Sequence, residues 1–337
     1  MTRSTFARLS VGLLLTCPVL LPAAGQAQNL PPVDPRATVS FITENDTYGS
    51  NTDRFYTNGA RFNWSSAEDS LPGPMASLDR ALADIFGPAR SRWGFALGQN
   101  MYTPINKRLR DPDPRDRPYA GLLYGEISLD RRTETTLDRF SLTLGVVGPT
   151  SLARQTQDIV HALIGDRQAR GWGFQIHDEP VFNLAYDRTW RAPLLALPAG
   201  LAVDALPTVT LAAGTIMTYA SAGVRVRFGQ GLGRDFGPPR IRPAVADNPA
   251  PVGEGFGWYL FAGASGRAVA RDITLDGNTF RDSRSVDPRH FVSDVEMGGA
   301  VFWHNIRLAY TQDFRSKEYV GQKKDFIFGA LSLSLSF

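Results

Sequence analysis

The 337-residue chain has one cysteine, Cys17, and so can form neither an internal disulfide nor a thiolate metal cage. Histidine is also scarce, at four residues. No His-Glu-x-x-His pair marks a zinc site, and no Gly-x-Ser-x-Gly turn marks a serine nucleophile. Charge of one sign is missing too: 36 Lys+Arg stand against 33 Asp+Glu, which gives no electrostatic case for nucleic acid. Beyond the N-terminus no stretch reaches the roughly 18 apolar residues of a membrane-spanning helix.

What is present begins with an export signal. Arg3 and Arg8 precede the largely apolar run Leu9 to Leu21, and Gly25-Gln26-Ala27 supplies small residues for cleavage. Residues 1–27 read as a signal peptide and 28–337 as one mature domain. A lipoprotein site at Cys17 is poorly framed, because Thr16 precedes it and Pro18 follows. Loss of Arg3 and Arg8 brings the mature charge near +1 and leaves the mature chain without cysteine.

The C-terminus, Leu331-Ser332-Leu333-Ser334-Leu335-Ser336-Phe337, alternates strictly and stops on an aromatic. Period-2 alternation gives one apolar and one polar face. The pattern recurs in Phe140 to Val146, Phe182 to Tyr186, Ala222 to Phe228 and Ile306 to Tyr310. Arg225, Arg227 and Arg307 fall on the polar face, which suits a wet, charged lumen better than a soluble core. Trp64, Tyr186, Trp190 and Trp303 near strand ends suit interface girdles. The expectation is an all-β, antiparallel transmembrane β-barrel of about twelve strands in a bacterial outer membrane. The strands fall at roughly 37–46, 56–66, 93–103, 119–131, 137–148, 178–192, 200–214, 216–229, 255–270, 288–301, 304–315 and 324–337. Pro72-Gly73-Pro74, Asp111 to Pro118 and Gly237 to Pro251 mark loops, and residues 152–165 read as a short extracellular loop helix.

With both termini periplasmic, the first, third and fifth hairpin connections lie outside the cell, and they hold the densest polar clusters. The first carries Asn45, Asp46 and Thr57. Parity points Asp46 and Thr57 into the lumen and Asn45 outward. The second carries Lys107 with Arg108 and Arg110, a basic tip suited to phosphates or anionic head groups. The third carries His161, and a histidine is the side-chain type that ordinarily serves as a general base near neutral pH. A carboxylate, a hydroxyl, a cation and an imidazole at one rim can hydrolyse an ester, the imidazole taking a proton from water. The same residues also read as turn-forming and solvated loop positions.

At these residues the sequence resembles the outer-membrane lipid A 3-O-deacylase family. The match is an ordered set: Glu44-Asn45-Asp46, Thr52-Asp53-Arg54-x-Tyr56-Thr57-Asn58-Gly59, Tyr102-Thr103-Pro104, Asp116-Arg117-Pro118-Tyr119-Ala120-Gly121, His161-x-x-Ile164-Gly165, Gly171-Trp172 and Glu179-Pro180. It runs from about residue 37 to Phe337 and is densest up to residue 190. The resemblance implies a twelve-stranded barrel with its site between lumen and outer leaflet. It implies calcium-dependent removal of the 3-linked acyloxyacyl chain from lipid A, the lipopolysaccharide anchor. His161 would activate water, Asn45, Asp46 and Thr57 would line the site, and Lys107 would meet the oxyanion or the phosphate. Calcium would draw on Asp46 and Asp166. The family's best-known form has Glu six residues after the His, where this chain has Arg167 beside Asp166. Asp166 or another carboxylate such as Glu179 takes that role, or the metal site is altered. Two other readings stand beside this one: a non-enzymatic barrel, as a narrow pore or a lipopolysaccharide-binding structural protein, and an outer-membrane phospholipase.

Overall fold

The computed structural model describes residues 30–50, 55–165, 168–242 and 255–337. The expected signal segment, Asp166 and Arg167 lie outside them. The strands are β1 (Thr38–Asn45), β2 (Phe55–Ser65), β3 (Arg90–Thr103), β4 (Ala120–Arg132), β5 (Thr136–Val147), β6 (Glu179–Trp190), β7 (Ala192–Ala196), β8 (Leu201–Gly214), β9 (Met217–Gln230), β10 (Phe256–Asp272), β11 (Phe291–Trp303), β12 (Ile306–Arg315) and β13 (Phe326–Ser336). The helices are α1 (Thr47–Ser50), α2 (Gly73–Phe86), α3 (Ala153–Ile164) and α4 (Ile273–Asp276).

Apart from β6 and β7, consecutive strands pair antiparallel, and β1 closes on β13 from Thr38↔Ser336 to Asn45↔Gly329. β6 and β7 run in succession along β8 and act as one stave, so the described barrel has the expected twelve. At the terminal end, the Ala37 amide donates to the Phe337 carbonyl at 2.9 Å and Phe337 donates back at 3.0 Å. Closure leaves no sheet edge, the one way a sheet can cross a bilayer.

Alternation sorts the side chains as the sequence pattern requires. Phe41, Leu97, Leu144, Leu184, Leu260 and Leu308 are each half or more exposed on the outer wall. In water such a belt would be a liability, but in a bilayer it is the lipid-facing surface. Trp64, Trp93, Trp190, Trp258 and Trp303 all sit on strand ends at the terminal side, as an interfacial girdle does.

The lumen is charged and paired. Arg61 bonds Glu126, Arg227 reaches Asp204 at 2.5 Å and Asp235 at 2.6 Å, and Arg307 meets Asp235 at 2.8 Å. Much of this order comes from the β9–β10 connection, which enters from the terminal, periplasmic end. Its Asp235 accepts from Tyr259 at 2.9 Å, Arg240 meets Asp313 at 2.6 Å and Glu296 at 2.9 Å, and Arg242 meets Asp187 at 2.7 Å. The described part of the expected Gly237–Pro251 loop, residues 237–242, thus lies in the lumen as a plug. A polar cavity of about 130 Å³ remains between the plug and β8, β9 and β10.

Helix α2 falls where the sequence reading marked a loop from Pro72 onward. Its signal was legible: a Gly-Pro start and then the helix-forming run Met75 to Phe86, ended by Gly87 at φ 83°.

Candidate functional site

The site grows from an irregularity in β2. Register slips between Tyr56 and Asn58, so Thr57 is the extra residue of a β-bulge. The Thr57 hydroxyl lies 2.7 Å from that of Thr103. Thr103 shares parity with the outward-facing Phe95 and Leu97. The expectation that Thr57 points into the lumen is therefore corrected. Parity counting fails there because a bulge moves one residue to the other face.

Asn45 lies on the outward parity of β1, as expected, alongside exposed Phe41. Its Oδ1 accepts from the Thr47 amide at 2.7 Å and the Thr47 hydroxyl at 2.5 Å, an Asx turn that starts α1. Asp46, next in the turn and on the parity of Ile42 and Glu44, is wholly buried.

Across the sheet, Asn45 pairs with Asn58, Asn58 with Met101, and Met101 with Gly121. This row leads directly beneath α3. A Cβ on Gly121 would lie 2.1 Å from Ser151 Oγ and 2.4 Å from Ala153 Cβ, so only glycine lets the helix come this close to the wall. Gln99, also outward on β3, donates to the Ser151 carbonyl at 2.6 Å. Met101, Tyr119, Ala153, Ala169 and Trp172 fill the space between wall and loop.

Ala153, Gln157 and His161 recur every four residues and form the buried face of α3. Trp172 Nε1 donates to Gln157 Oε1 at 2.7 Å and fixes that face. The opposite face is apolar and open: Ile159 is 62% exposed and Leu163 82%, with Leu152 and Val160 beside them. The apolar stripe that announced this helix therefore points away from the protein. The helix is inverted relative to that of a soluble protein, with Gln157 and His161 turned inward and its large apolar side chains exposed.

The β3–β4 connection supplies Lys107. Its carbonyl accepts from Arg170 at 2.8 Å and from the Tyr119 hydroxyl at 3.2 Å, tying the basic tip to the loop that follows α3. Burial pushes the Tyr119 phenol up to about 12, against a backbone bond from Gly171. Arg108 and Arg110 stay exposed. Gly171 is needed here too, because a Cβ would meet the Tyr119 ring at 2.6 Å.

Asn45 and Thr57 therefore lie toward the outer wall at the ends of β1 and β2, Lys107 lies in the β3–β4 connection, and His161 lies on the face of α3 that packs over β3 and β4. Asp46 is buried at the same strand end. Glu179, a carboxylate considered for the metal, has another task. It accepts from Asn278 Nδ2 at 3.0 Å and the Thr279 amide at 2.9 Å, pinning the β10–β11 connection. Among the described residues no three His, Cys, Asp or Glu side chains gather to hold a metal. Gln99 and Thr103 fall in the second polar cluster of the sequence, Thr103 within the family match, but sequence reasoning gives neither a role. Gln157, which also shapes this cleft, is not singled out by the sequence because it looks like an ordinary helix polar residue.

A model of the family described as "Outer membrane protein LpxR" matches residues 10–337. No match was found among curated protein sequences. Among solved structures, LpxR from Salmonella typhimurium superposes with a TM-score of 0.71 at 20% identity, covering 89% of this chain and 100% of that one. The β domain of the Bordetella autotransporter BrkA aligns at a TM-score of 0.42 and 10% identity, covering 91% of this chain and 100% of that one. The translocator domain of NalP from Neisseria meningitidis gives 0.36 and 10%, covering 92% of this chain and 91% of that one. The family match spans nearly the whole sequence, and the chain belongs to the outer membrane protein LpxR family.

Proposed function

We propose that the protein is an outer-membrane esterase that removes the 3-linked acyloxyacyl chain of lipid A, with His161 as the base. The observation that carries this reading is the seating of α3. Its His161 face is closed against the barrel wall, while its Leu152, Ile159 and Leu163 face meets the bilayer. A lipid substrate reaches such a site by lateral approach from the outer leaflet, without entering the lumen. The plug across the lumen favours this route over the pore reading.

His161 takes a proton from water, and the resulting hydroxide attacks the ester carbonyl. The bond between the carbonyl carbon and the sugar oxygen then breaks, His161 returns its proton to that oxygen, and the acyl group leaves as a carboxylic acid that ionises in water. Lys107 offers a cation to the oxyanion or to a lipid A phosphate, and Asn45, Asp46 and Thr57 line the cleft. Calcium dependence is part of the proposal, with Asp46 and Asp166 as the carboxylates it would use.

The test is mass spectrometry of lipid A from cells expressing the wild type or His161→Ala, with and without a chelator. The expected result is loss of the 3-linked acyloxyacyl chain, abolished by the substitution and by chelation. Unchanged lipid A in every sample, with the barrel inserted, overturns the esterase reading. Release of fatty acid from phospholipid alone establishes the phospholipase reading instead.

A further inference from the structure

A second lipid-facing feature lies at the opposite end of the barrel. Helix α2 joins β2 to β3 on the side of the chain termini, which is the periplasmic side. It has no buried residue over its whole length. Leu78 and Ile85 are 43% and 65% exposed, and Arg80 and Asp84 lie on its polar surface. Two anchors hold it to the outer wall. Asp79 accepts from Arg131 Nε at 2.7 Å and from the Ser91 hydroxyl at 2.6 Å. Phe86 packs on Phe140 and Tyr186, at ring centroid distances of 5.7 and 5.8 Å. Between helix and wall runs a groove of about 740 Å³, within the range of small-ligand pockets. Met75 and Leu78 form one bank, and Ile127, Leu142, Leu184 and Leu211 form the other.

We propose that this groove holds an acyl chain of an inner-leaflet glycerophospholipid, clamped between α2 and the barrel. Three observations select that occupant. The wall residues belong to the lipid-facing belt, so the groove is continuous with the bilayer. The groove's β6 lining ends at Tyr186, four residues short of Trp190 of the interfacial girdle, and Leu184 lies six residues above that tryptophan. That is about 20 Å along a strand and roughly 15 Å of depth at the usual tilt. Half of a hydrocarbon core about 30 Å thick is the same depth, the reach of one leaflet's chains. Finally, an amphipathic helix with no fully buried residue gains part of its stability from lipid. The site is separate from α3 and does not depend on the esterase reading.

The test uses full-length protein in nanodiscs containing phosphatidylethanolamine spin-labelled at mid-chain. Wild type is expected to show a motionally restricted lipid component and to retain phospholipid through gentle detergent extraction in native mass spectrometry. Leu142→Trp and Ile127→Trp, which fill the groove, are expected to lose both signals. Leu97→Trp, on the lipid belt outside the groove, is expected to keep them. Heat-modifiable gel mobility reports barrel folding in each variant. Equal restricted lipid in all four proteins, or none in wild type, overturns the proposal. Retention of lipopolysaccharide in place of phospholipid overturns the choice of leaflet.

Discussion

The backbone amide of Ile241 donates to Glu44 Oε1 at 2.9 Å, joining a loop that enters from the periplasmic end to the outer end of β1. Arg240 stands beside it and bridges Asp313 and Glu296. The strand end that carries Asn45 and Asp46 is thus braced from inside the lumen. Arg240→Ala takes the paired cation from buried Asp313, while Glu296 keeps Arg225 at 2.7 Å. Removing one partner of a buried pair commonly costs about 3–5 kcal/mol. The sheet's own bonds keep the barrel closed, so the loss is expected to free the plug. In planar bilayers wild type should be nearly non-conducting and Arg240→Ala should pass ions. Equal conductance would show that the plug is held by other contacts.

Gly121 decides how closely α3 can approach. A leucine there must displace Ser151 and Ala153, because even its Cβ has no room. Gly121→Leu is expected to lift α3 from the wall and to abolish lipid A modification. The barrel should still insert and shift on heating, because the residue faces outward and its strand register is unaffected. Retained activity would mean that the α3–wall cleft is not where the reaction occurs.

The barrel was legible because its rule is simple: alternate residues face lipid, and twelve runs of that kind give a closed sheet. Strand ends moved by only a few residues. Positions near the outer rim were harder to place. Thr57 was assigned by parity, and parity cannot register a bulge. The helix of His161 was found from its apolar stripe, yet periodicity alone does not say whether such a stripe faces protein or lipid. Gln157 and the Arg240 plug were invisible for a related reason. Their partners, Trp172, Glu44 and Asp313, are distant in sequence or placed by loops with no pattern of their own.

Thr57 and Thr103 share one hydroxyl–hydroxyl bond, so either valine substitution removes the same interaction, worth about 0.5–1.5 kcal/mol. Their consequences for activity are expected to differ. If Thr57 lines the substrate cleft, Thr57→Val lowers deacylation well beyond Thr103→Val at equal thermal stability. The comparison needs both unfolding midpoints and product yields. Equal losses of activity would assign Thr57 a structural role only.

Glu318 caps the outer end of the lumen. It reaches Arg117 at 3.1 Å, with Arg315 at 3.4 Å and Arg267 at 3.5 Å. Burial disfavours its charge, but Arg315, Arg117 and Arg267 together hold its carboxyl below the ordinary value of 4.5. A carboxyl depressed on folding contributes stability above its unfolded value, and that contribution is lost as pH falls toward the folded one. The outer connections from β3 to β4 and from β12 to β13 should therefore loosen below about pH 4.5. Hydrogen exchange at Arg117 and Tyr319 should rise there in wild type. Glu318→Gln should exchange quickly at neutral pH and show little further change on acidification. A wild-type profile flat through that range would mean that the arginine cluster is held without this charge.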